Sequence, residues 1–189
     1  MKKVLIWVAL GLMSLGIALF VGAGISVNFD FARLDNMKYI TNKHTVYEEF
    51  SSIVLNTVTA EIEFKPSEDG YCRVVCYEQE KTCHDVSVTN GVLEISWTDS
   101  RNWMDRITIF NFNTPSVTVY LPEGAYKSLM VNNTTGDINI NGDWNIDEVS
   151  LKTTTGDIYA KGLKCLKDVN VHVTNGDLKL ENVTCNNLT

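Results

Sequence analysis

Three aspartates spaced twenty residues apart are the residues of this sequence whose arrangement could best support chemistry. They are Asp137, Asp157 and Asp177, and they follow Gly136, Gly156 and Gly176. Stacked carboxylates can bind calcium, and some β-helical polysaccharide lyases use aspartate clusters of this kind. Calcium-binding β-roll repeats, however, use a much shorter and glycine-richer unit. We therefore interpret the six residues as structural corners and predict no metal, no cofactor and no catalytic residue.

A second group with metal-binding residue types is Cys72, Cys76, Cys83 and His84. Its spacing lacks the short Cys-x-x-Cys pairs of structural zinc sites, so we do not expect zinc there. A disulfide from Cys72 or Cys76 to Cys83 stays open, because this segment is expected outside the cytoplasm. The five cysteines of the chain leave at least one thiol unpaired within a monomer.

The aspartates belong to a pattern of eight residues that recurs with a fixed step of twenty. Residues 131–138 read Val-Asn-Asn-Thr-Thr-Gly-Asp-Ile, residues 151–158 read Leu-Lys-Thr-Thr-Thr-Gly-Asp-Ile, and residues 171–178 read Val-His-Val-Thr-Asn-Gly-Asp-Leu. Cys165 and Cys185 also fall at equivalent positions, and we interpret them as buried thiols rather than a disulfide. A fixed period built from β-favouring residues is typical of a solenoid.

The physical form of each copy follows from its alternation. Apolar residues lie two apart on either side of the Gly-Asp step, as expected of half-buried strands. Glycine can adopt positive φ and aspartate can bond neighbouring amides, so the step between them is a corner. The prediction is an all-β solenoid with rungs of about twenty residues. Its most regular rung carries the candidate binding face of Thr153, Thr154, Thr155 and Asp157.

The N-terminus is predicted to be a membrane anchor over residues 1–27. After Lys2 and Lys3, an uncharged stretch of 24 residues runs from Val4 to Val27, and about 20 residues cross a bilayer. The two lysines place the following domain outside the cell membrane, giving a single-pass protein. A cleavable signal peptide ending near residues 21–24 is the alternative.

Between the anchor and the regular repeats, the sequence predicts a juxtamembrane connector at 28–43 and an irregular β cap with the first rungs at 44–125. Regular repeats then occupy 126–189. Residues 55–64 match 131–140 as an older rung, and 86–95 match 171–180, although the Asn90-Gly91 pair alone would indicate a hairpin. Trp97, Trp103 and Trp144 are assigned to the cap, with an aromatic platform for sugars as the alternative.

Charge excludes one class of partner. The chain carries a net charge of −7, and without Lys2 and Lys3 the remainder has 14 basic and 23 acidic residues, or −9. An acidic domain argues against nucleic acid. Residues 186–189 look like the entry to another strand, so we expect a truncated solenoid. A second molecule on that edge, including a homo-oligomer, is the alternative.

These features together resemble the bacterial putative-adhesin family of β-strand repeat proteins, a domain of unknown function. The resemblance lies in the short membrane segment, residues 48–53 (Glu-Glu-Phe-Ser-Ser-Ile), residues 60–70, residues 117–122 (Val-Thr-Val-Tyr-Leu-Pro) and the Thr-Thr-Gly-Asp rungs. It implies a right-handed β-solenoid on the outer face of a bacterial cytoplasmic membrane. The family provides no catalytic residues to transfer.

The leading functional hypothesis is a non-catalytic surface scaffold that binds an envelope or host component, either protein or glycan. A regulatory protein that senses envelope stress through a membrane partner is the alternative. A carbohydrate-active β-helix enzyme is a minor third hypothesis. It is disfavoured because His44, His84 and His172 are scattered and no nucleophile–base pair is indicated.

Overall fold

The computed structural model describes residues 2–26, 28–29, 38–103 and 113–189. The chain divides into two compact units, one containing the N-terminal helix and the other containing the strands. Residues 30–37 of the predicted connector and 104–112 of the predicted cap lie outside the described residues.

The N-terminal unit contains helix α1, Lys2–Ser26. Its segment Lys3–Ser26 is long and apolar enough to cross a membrane, by length and composition. The helix ends where Asn28 and Phe29 adopt positive φ, and the Phe29 N–H donates to the Gly24 carbonyl at 2.7 Å. Left-handed residues of this kind are a common way to terminate a helix.

The other unit is built from strands. In chain order they are β1 (Tyr39–Val46), β2 (Ser52–Asn56), β3 (Glu61–Pro66), β4 (Cys72–Gln79), β5 (Thr82–Thr89), β6 (Val92–Asp99), β7 (Ser116–Leu121), β8 (Ala125–Asn132), β9 (Ile138–Asn141), β10 (Asn145–Thr155), β11 (Ile158–Lys161), β12 (Asp168–Asn175), β13 (Leu178–Glu181) and β14 (Asn187–Leu188). β1 begins within the range predicted as connector.

Two parallel ladders form the regular part, which we call the stack (β2, β3 and β8–β14). β2, β8, β10, β12 and β14 make one ladder, and β3, β9, β11 and β13 make the other. Val149 pairs with Leu129 on one side and Val169 on the other, a spacing of twenty residues in each direction. Inward columns such as Ile138 and Ile158 are buried, and each such side chain contributes about 1.5–3 kcal/mol.

The older rung predicted at residues 55–64 is confirmed. Leu55 pairs with Val131, Ile62 with Ile138 and Phe64 with Ile140, which is the alignment that the sequence gives. Ala60, which occupies the glycine position of this rung, is fully buried.

The rung predicted at residues 86–95 is wrong. β5 and β6 form an antiparallel hairpin whose turn is Asn90-Gly91, with φ of 53° and 75°. Positive φ at both central residues is the signature of a tight type I′ turn, which reverses the chain instead of cornering it. Of these two strands, only β6 pairs with a strand of the stack, with Leu93 opposite Ile53 of β2.

The opposite end of the domain, which we call the cap end (β1 and β4–β7), is mostly antiparallel. β4 pairs with β1 on one side and β7 on the other, while β7 extends the second ladder by pairing with β3. β4 and β5 pair only at Gln79 and Thr82 before diverging. The bend between them therefore connects one ladder of the stack to the other.

Candidate functional site

The aspartate column forms a ladder of side chain to backbone hydrogen bonds. Asp137 Oδ1 accepts from the Asp157 N–H at 2.8 Å, and Asp157 Oδ1 accepts from the Asp177 N–H at 2.7 Å. Two of the three carboxylates that would bind calcium or act as acids, those of Asp137 and Asp157, thus each accept from an amide of the following rung. This geometry supports a structural role over a metal site.

The glycines before these aspartates let the rungs approach closely. Gly136 and Gly156 have φ of +120° and +133°. A Cβ on Gly156 would collide with the carbonyl of Gly136, and one on Gly136 would collide with the carbonyl of Ala60. Only glycine combines this conformation with this contact.

The candidate binding face at the second corner is only partly exposed. Thr153 is fully buried, and its Oγ1 donates to the Gly136 carbonyl at 3.2 Å. Including Thr153 in an exposed face was therefore wrong, because its position in β10 points inward. Thr154 is half-buried, and Thr155 and Asp157 are exposed. Binding at these three residues stays a prediction.

The three tryptophans do not form one platform. Trp144 is 1% exposed, Trp97 is half-buried and Trp103 is 74% exposed. The ring of Trp144 lies where a Cβ on Gly142 would be, so it fills space beneath the chain. A sugar platform that requires Trp144 is therefore ruled out.

The structure brings only two members of the predicted cysteine and histidine group, Cys76 and His84, into one cluster, together with Glu78. Cys76, Glu78 and His84 are all buried, and their potential ligand atoms lie within 4.8 Å of one another. All five cysteines are free, so the structure contains no bridge from Cys72 or Cys76 to Cys83. Glu78 is the residue that the sequence analysis missed.

A chain of short hydrogen bonds connects this cluster. Glu78 Oε2 accepts from the His84 N–H at 2.8 Å and lies 2.7 Å from His84 Nδ1. Glu78 Oε1 accepts from Asn42 Nδ2 at 2.7 Å, and His84 Nε2 lies 2.9 Å from Thr57 Oγ1. Burial disfavours the Glu78 carboxylate, but the hydrogen bonds from His84 and Asn42 outweigh it, so its pKa lies below the usual value.

An open cleft of about 430 Å³ lies elsewhere on the same unit. Three connections meet there, between β1 and β2, between β3 and β4, and between β7 and β8. The lining residues are Val46, Tyr47, Glu48, Glu49, Phe50, Gly70, Tyr71, Cys72, Pro122 and Tyr126.

Four aromatic side chains line the cleft, as an inner, more buried pair and an outer, exposed pair. Phe50 and Tyr126 stack with ring centroids 5.9 Å apart, and the Tyr126 hydroxyl donates to the Pro122 carbonyl at 2.9 Å. Burial raises the pKa of Tyr126 to about 12. Tyr47 and Tyr71 meet edge to face at 6.1 Å and are 78% and 54% exposed. The inner pair is therefore structural, while the outer pair presents ring surface to solvent.

The charged residues of the lining are both acidic. Glu48 and Glu49 are exposed, and Glu48 Oε2 accepts from the Tyr47 N–H at 3.2 Å. Exposed aromatic faces next to carboxylates suit a cationic group, because both attract positive charge. The cleft thus has the composition of a site for an ammonium or a guanidinium.

The backbone around Tyr71 is held by its own hydrogen bonds. Ser67 Oγ donates to the Tyr71 carbonyl at 2.7 Å, and the Tyr71 N–H donates to Asp69 Oδ1 at 3.3 Å. Asp69 also forms a 3.0 Å ion pair with Arg73. This side of the cleft is preorganised, which lowers the entropic cost of binding.

The sequence model of the Toastrack DUF4097 family matches residues 50–189. The chain belongs to this family. Its predicted resemblance to adhesin-like β-strand repeat proteins is thereby confirmed, and so is a mostly β, solenoid-like fold preceded by one apolar helix.

Solved structures with some likeness to this Toastrack chain include a putative cell adhesion protein from Clostridium sporogenes ATCC 15579. It is 9% identical with a TM-score of 0.49, over 80% of this chain and 98% of that chain. A putative adhesin from Parabacteroides distasonis ATCC 8503 is 11% identical with a TM-score of 0.47, over 79% and 68% of the two chains. No curated protein matches the chain significantly.

The Toastrack match begins at Phe50, so four cleft residues, Val46 to Glu49, precede it. Two acids between two aromatic residues, directly after a strand, are the sequence signal from which this side of the cleft could have been predicted. For Glu78, the signal was a charged residue at an inward position of β4, two residues after Cys76.

Proposed function

We propose that the protein is a non-catalytic, membrane-anchored surface scaffold of the adhesin type, which binds an envelope or host component through the aromatic and acidic cleft. In this proposal α1 crosses the cell membrane once, and the strands form a right-handed solenoid outside it, with rungs of about twenty residues. The length and composition of α1 and membership of the Toastrack DUF4097 family support this arrangement.

The observation that carries the binding role is the exposed outer pair of the cleft. Tyr47 and Tyr71 are large aromatic side chains that stay exposed, and the loop of Tyr71 is held by its own hydrogen bonds. Exposed aromatic residues in a concave, preorganised site are typical of binding surfaces. By contrast, the carboxylates of Asp137 and Asp157 in the corner ladder are engaged with backbone amides.

The chemistry of the lining selects the ligand. Glu48 and Glu49 repel anions, and the net charge of −7 adds a general preference for positively charged partners. We therefore propose that the ligand of the cleft is a protein or polymer that presents lysine-like ammonium groups. Binding of a neutral glycan instead would replace this class of ligand.

The experiment uses the full chain in detergent micelles and a fluorescent hexalysine peptide, with a hexaglutamate peptide as the probe control. We expect saturable hexalysine binding that weakens as salt is added. The double variant Glu48→Gln/Glu49→Gln should lose about tenfold in affinity, since each exposed charge pair is worth up to about 1 kcal/mol. Tyr71→Leu should lose about threefold, the size of an exposed cation–π contact.

The matched control is Glu61→Gln/Glu148→Gln, which removes the same charge from exposed positions outside the cleft. It should bind hexalysine within about twofold of the unmodified chain, because these charges contribute only to the screened overall field. Equal losses in both double variants would show general charge attraction and would reject the cleft. Binding of a neutral oligosaccharide that depends on Tyr71 but not on Glu48 and Glu49 would assign the cleft to glycans.

The membrane arrangement is tested separately by protease digestion of intact cells. A scaffold anchored by α1 loses its strands to external protease and keeps a fragment of the helix in the membrane fraction. Protection of the whole chain would reject the proposed orientation.

A further inference from the structure

The buried cluster at the bend between β4 and β5 has the residue types of a zinc site. We propose that Cys76, Glu78 and His84 bind one zinc ion through a thiolate, a carboxylate oxygen and an imidazole nitrogen. This inference is independent of the cleft and of what the cleft binds.

The geometry brings three different ligand types to one point. Cys76 and Glu78 are two residues apart on β4 and so share a face, and His84 reaches them from β5. The three residues are 0%, 1% and 3% exposed. Their ligand atoms lie within 4.8 Å of one another, whereas ligand atoms around tetrahedral zinc are roughly 3.3–3.8 Å apart. Side-chain shifts of about 1 Å would therefore bring the three ligand atoms to tetrahedral spacing, and a water molecule would take the fourth position.

Charge also favours a divalent ion. A carboxylate with almost no solvent contact is costly unless a positive charge or hydrogen bonds compensate it. One thiolate and one carboxylate carry two negative charges, which a zinc ion neutralises. Thiolate and imidazole ligands favour zinc over magnesium and calcium, which prefer oxygen ligands.

Groups around the cluster already hold the proposed ligands in place. Asn42 Nδ2 and the His84 N–H donate to Glu78, and Thr57 Oγ1 lies 2.9 Å from His84 Nε2. With zinc on Nδ1, the imidazole proton sits on Nε2 and donates to Thr57, as metal-bound histidines usually do toward a neighbouring acceptor. The Cys76 thiol releases one proton when it binds zinc as the thiolate.

The experiment loads the full chain, stripped with a chelator in detergent, with zinc or cobalt(II). We expect one zinc per chain by metal analysis. Cobalt(II) should give the visible bands of a tetrahedral site together with a near-ultraviolet thiolate charge-transfer band. Cys76→Ser should abolish the charge-transfer band, and Thr57→Val, which removes only the partner of His84, should weaken zinc binding by about 10- to 100-fold.

Cys72→Ser is the matched control, because Cys72 is a buried thiol on the same face of β4 but is not one of the three ligands. It should retain stoichiometric zinc and the cobalt spectrum. If the unmodified chain takes up no zinc after chelation, or if Cys76→Ser and Cys72→Ser behave alike, the cluster is a hydrogen-bonded network only. The metal content of the unmodified chain decides this even where a variant fails to fold.

Discussion

The stack and the cap end use the same kind of position in different ways. Residues just before each corner form one inward column. Thr57, Asn133, Thr153 and Val173 are equivalent when the strand registers are continued by one residue. Within the stack, Asn133 and Thr153 bond the backbone of a corner. Thr57, directly after β2 of the stack, instead bonds His84 of the cap end, which contacts the buried Glu78. The same inward column therefore aligns neighbouring rungs within the stack and, at Thr57, supports the buried His84 and Glu78 of the cap end.

The two regions therefore differ in what their polar residues do: those of the stack hold the fold together, and those of the cap end form the candidate binding sites. The stack repeats one set of contacts, and the polar groups of its corners are engaged with the neighbouring rung. The cap end lacks the repeat, and it carries both the buried cluster and part of the cleft. Variants that damage the stack should therefore affect folding, while variants at the cap end should affect folding less and ligands more.

The largest effect is expected at a corner glycine. Gly156→Ala should destabilise the domain by about 3–5 kcal/mol, because alanine adds strain at φ of +133° and a collision with the Gly136 carbonyl. Urea unfolding of the full chain in detergent, followed by circular dichroism, measures this free energy.

Gly91→Ala is the control for that experiment. Gly91 also has positive φ, but a Cβ there meets nothing within 4 Å. Its substitution should cost only the conformational strain, about 1 kcal/mol. Equal costs for the two variants would mean that the close approach of the rungs does not determine the stability of the stack.

An intermediate loss of stability is expected at Thr57, the residue of the inward column that contacts the cap end. Thr57→Val leaves His84 Nε2 buried without its partner and should cost about 2 kcal/mol in chelator-treated protein. Thr153→Val should cost less than about 1 kcal/mol, because valine already occupies the next position of the same column at Val173. The same unfolding measurement compares them, and a larger loss from Thr153→Val would contradict the distinction between the two regions.

The stack could be predicted from the sequence because its restraints are local and repeated. The twenty-residue period gave the pairing of Val149 with Val169, and the same logic located the older rung at Leu55. It failed at Asn90-Gly91, where a turn that the alignment treats as a corner reverses the chain. The sequence placed Cys76 and His84 in one group, but it did not bring Thr57 and Glu78 to that group. Both residues contact His84 in the structure, and no period relates the end of β2 to β4 and β5.

The smallest effect is expected at the aspartate ladder. Asp157→Ala should cost about 1 kcal/mol, the usual value of one hydrogen bond, since Asp157 Oδ1 accepts from the Asp177 N–H. Asp157→Asn keeps an acceptor oxygen at that place and should cost less than about 0.5 kcal/mol. Comparing the two variants by urea unfolding, with and without calcium, separates a hydrogen-bond acceptor from a charged site. An asparagine variant as unstable as the alanine variant, or a calcium-dependent difference between them, would mean that the carboxylate charge itself matters. The aspartate ladder would then be a charged candidate binding site, like those of the cap end, and not only a structural part of the stack.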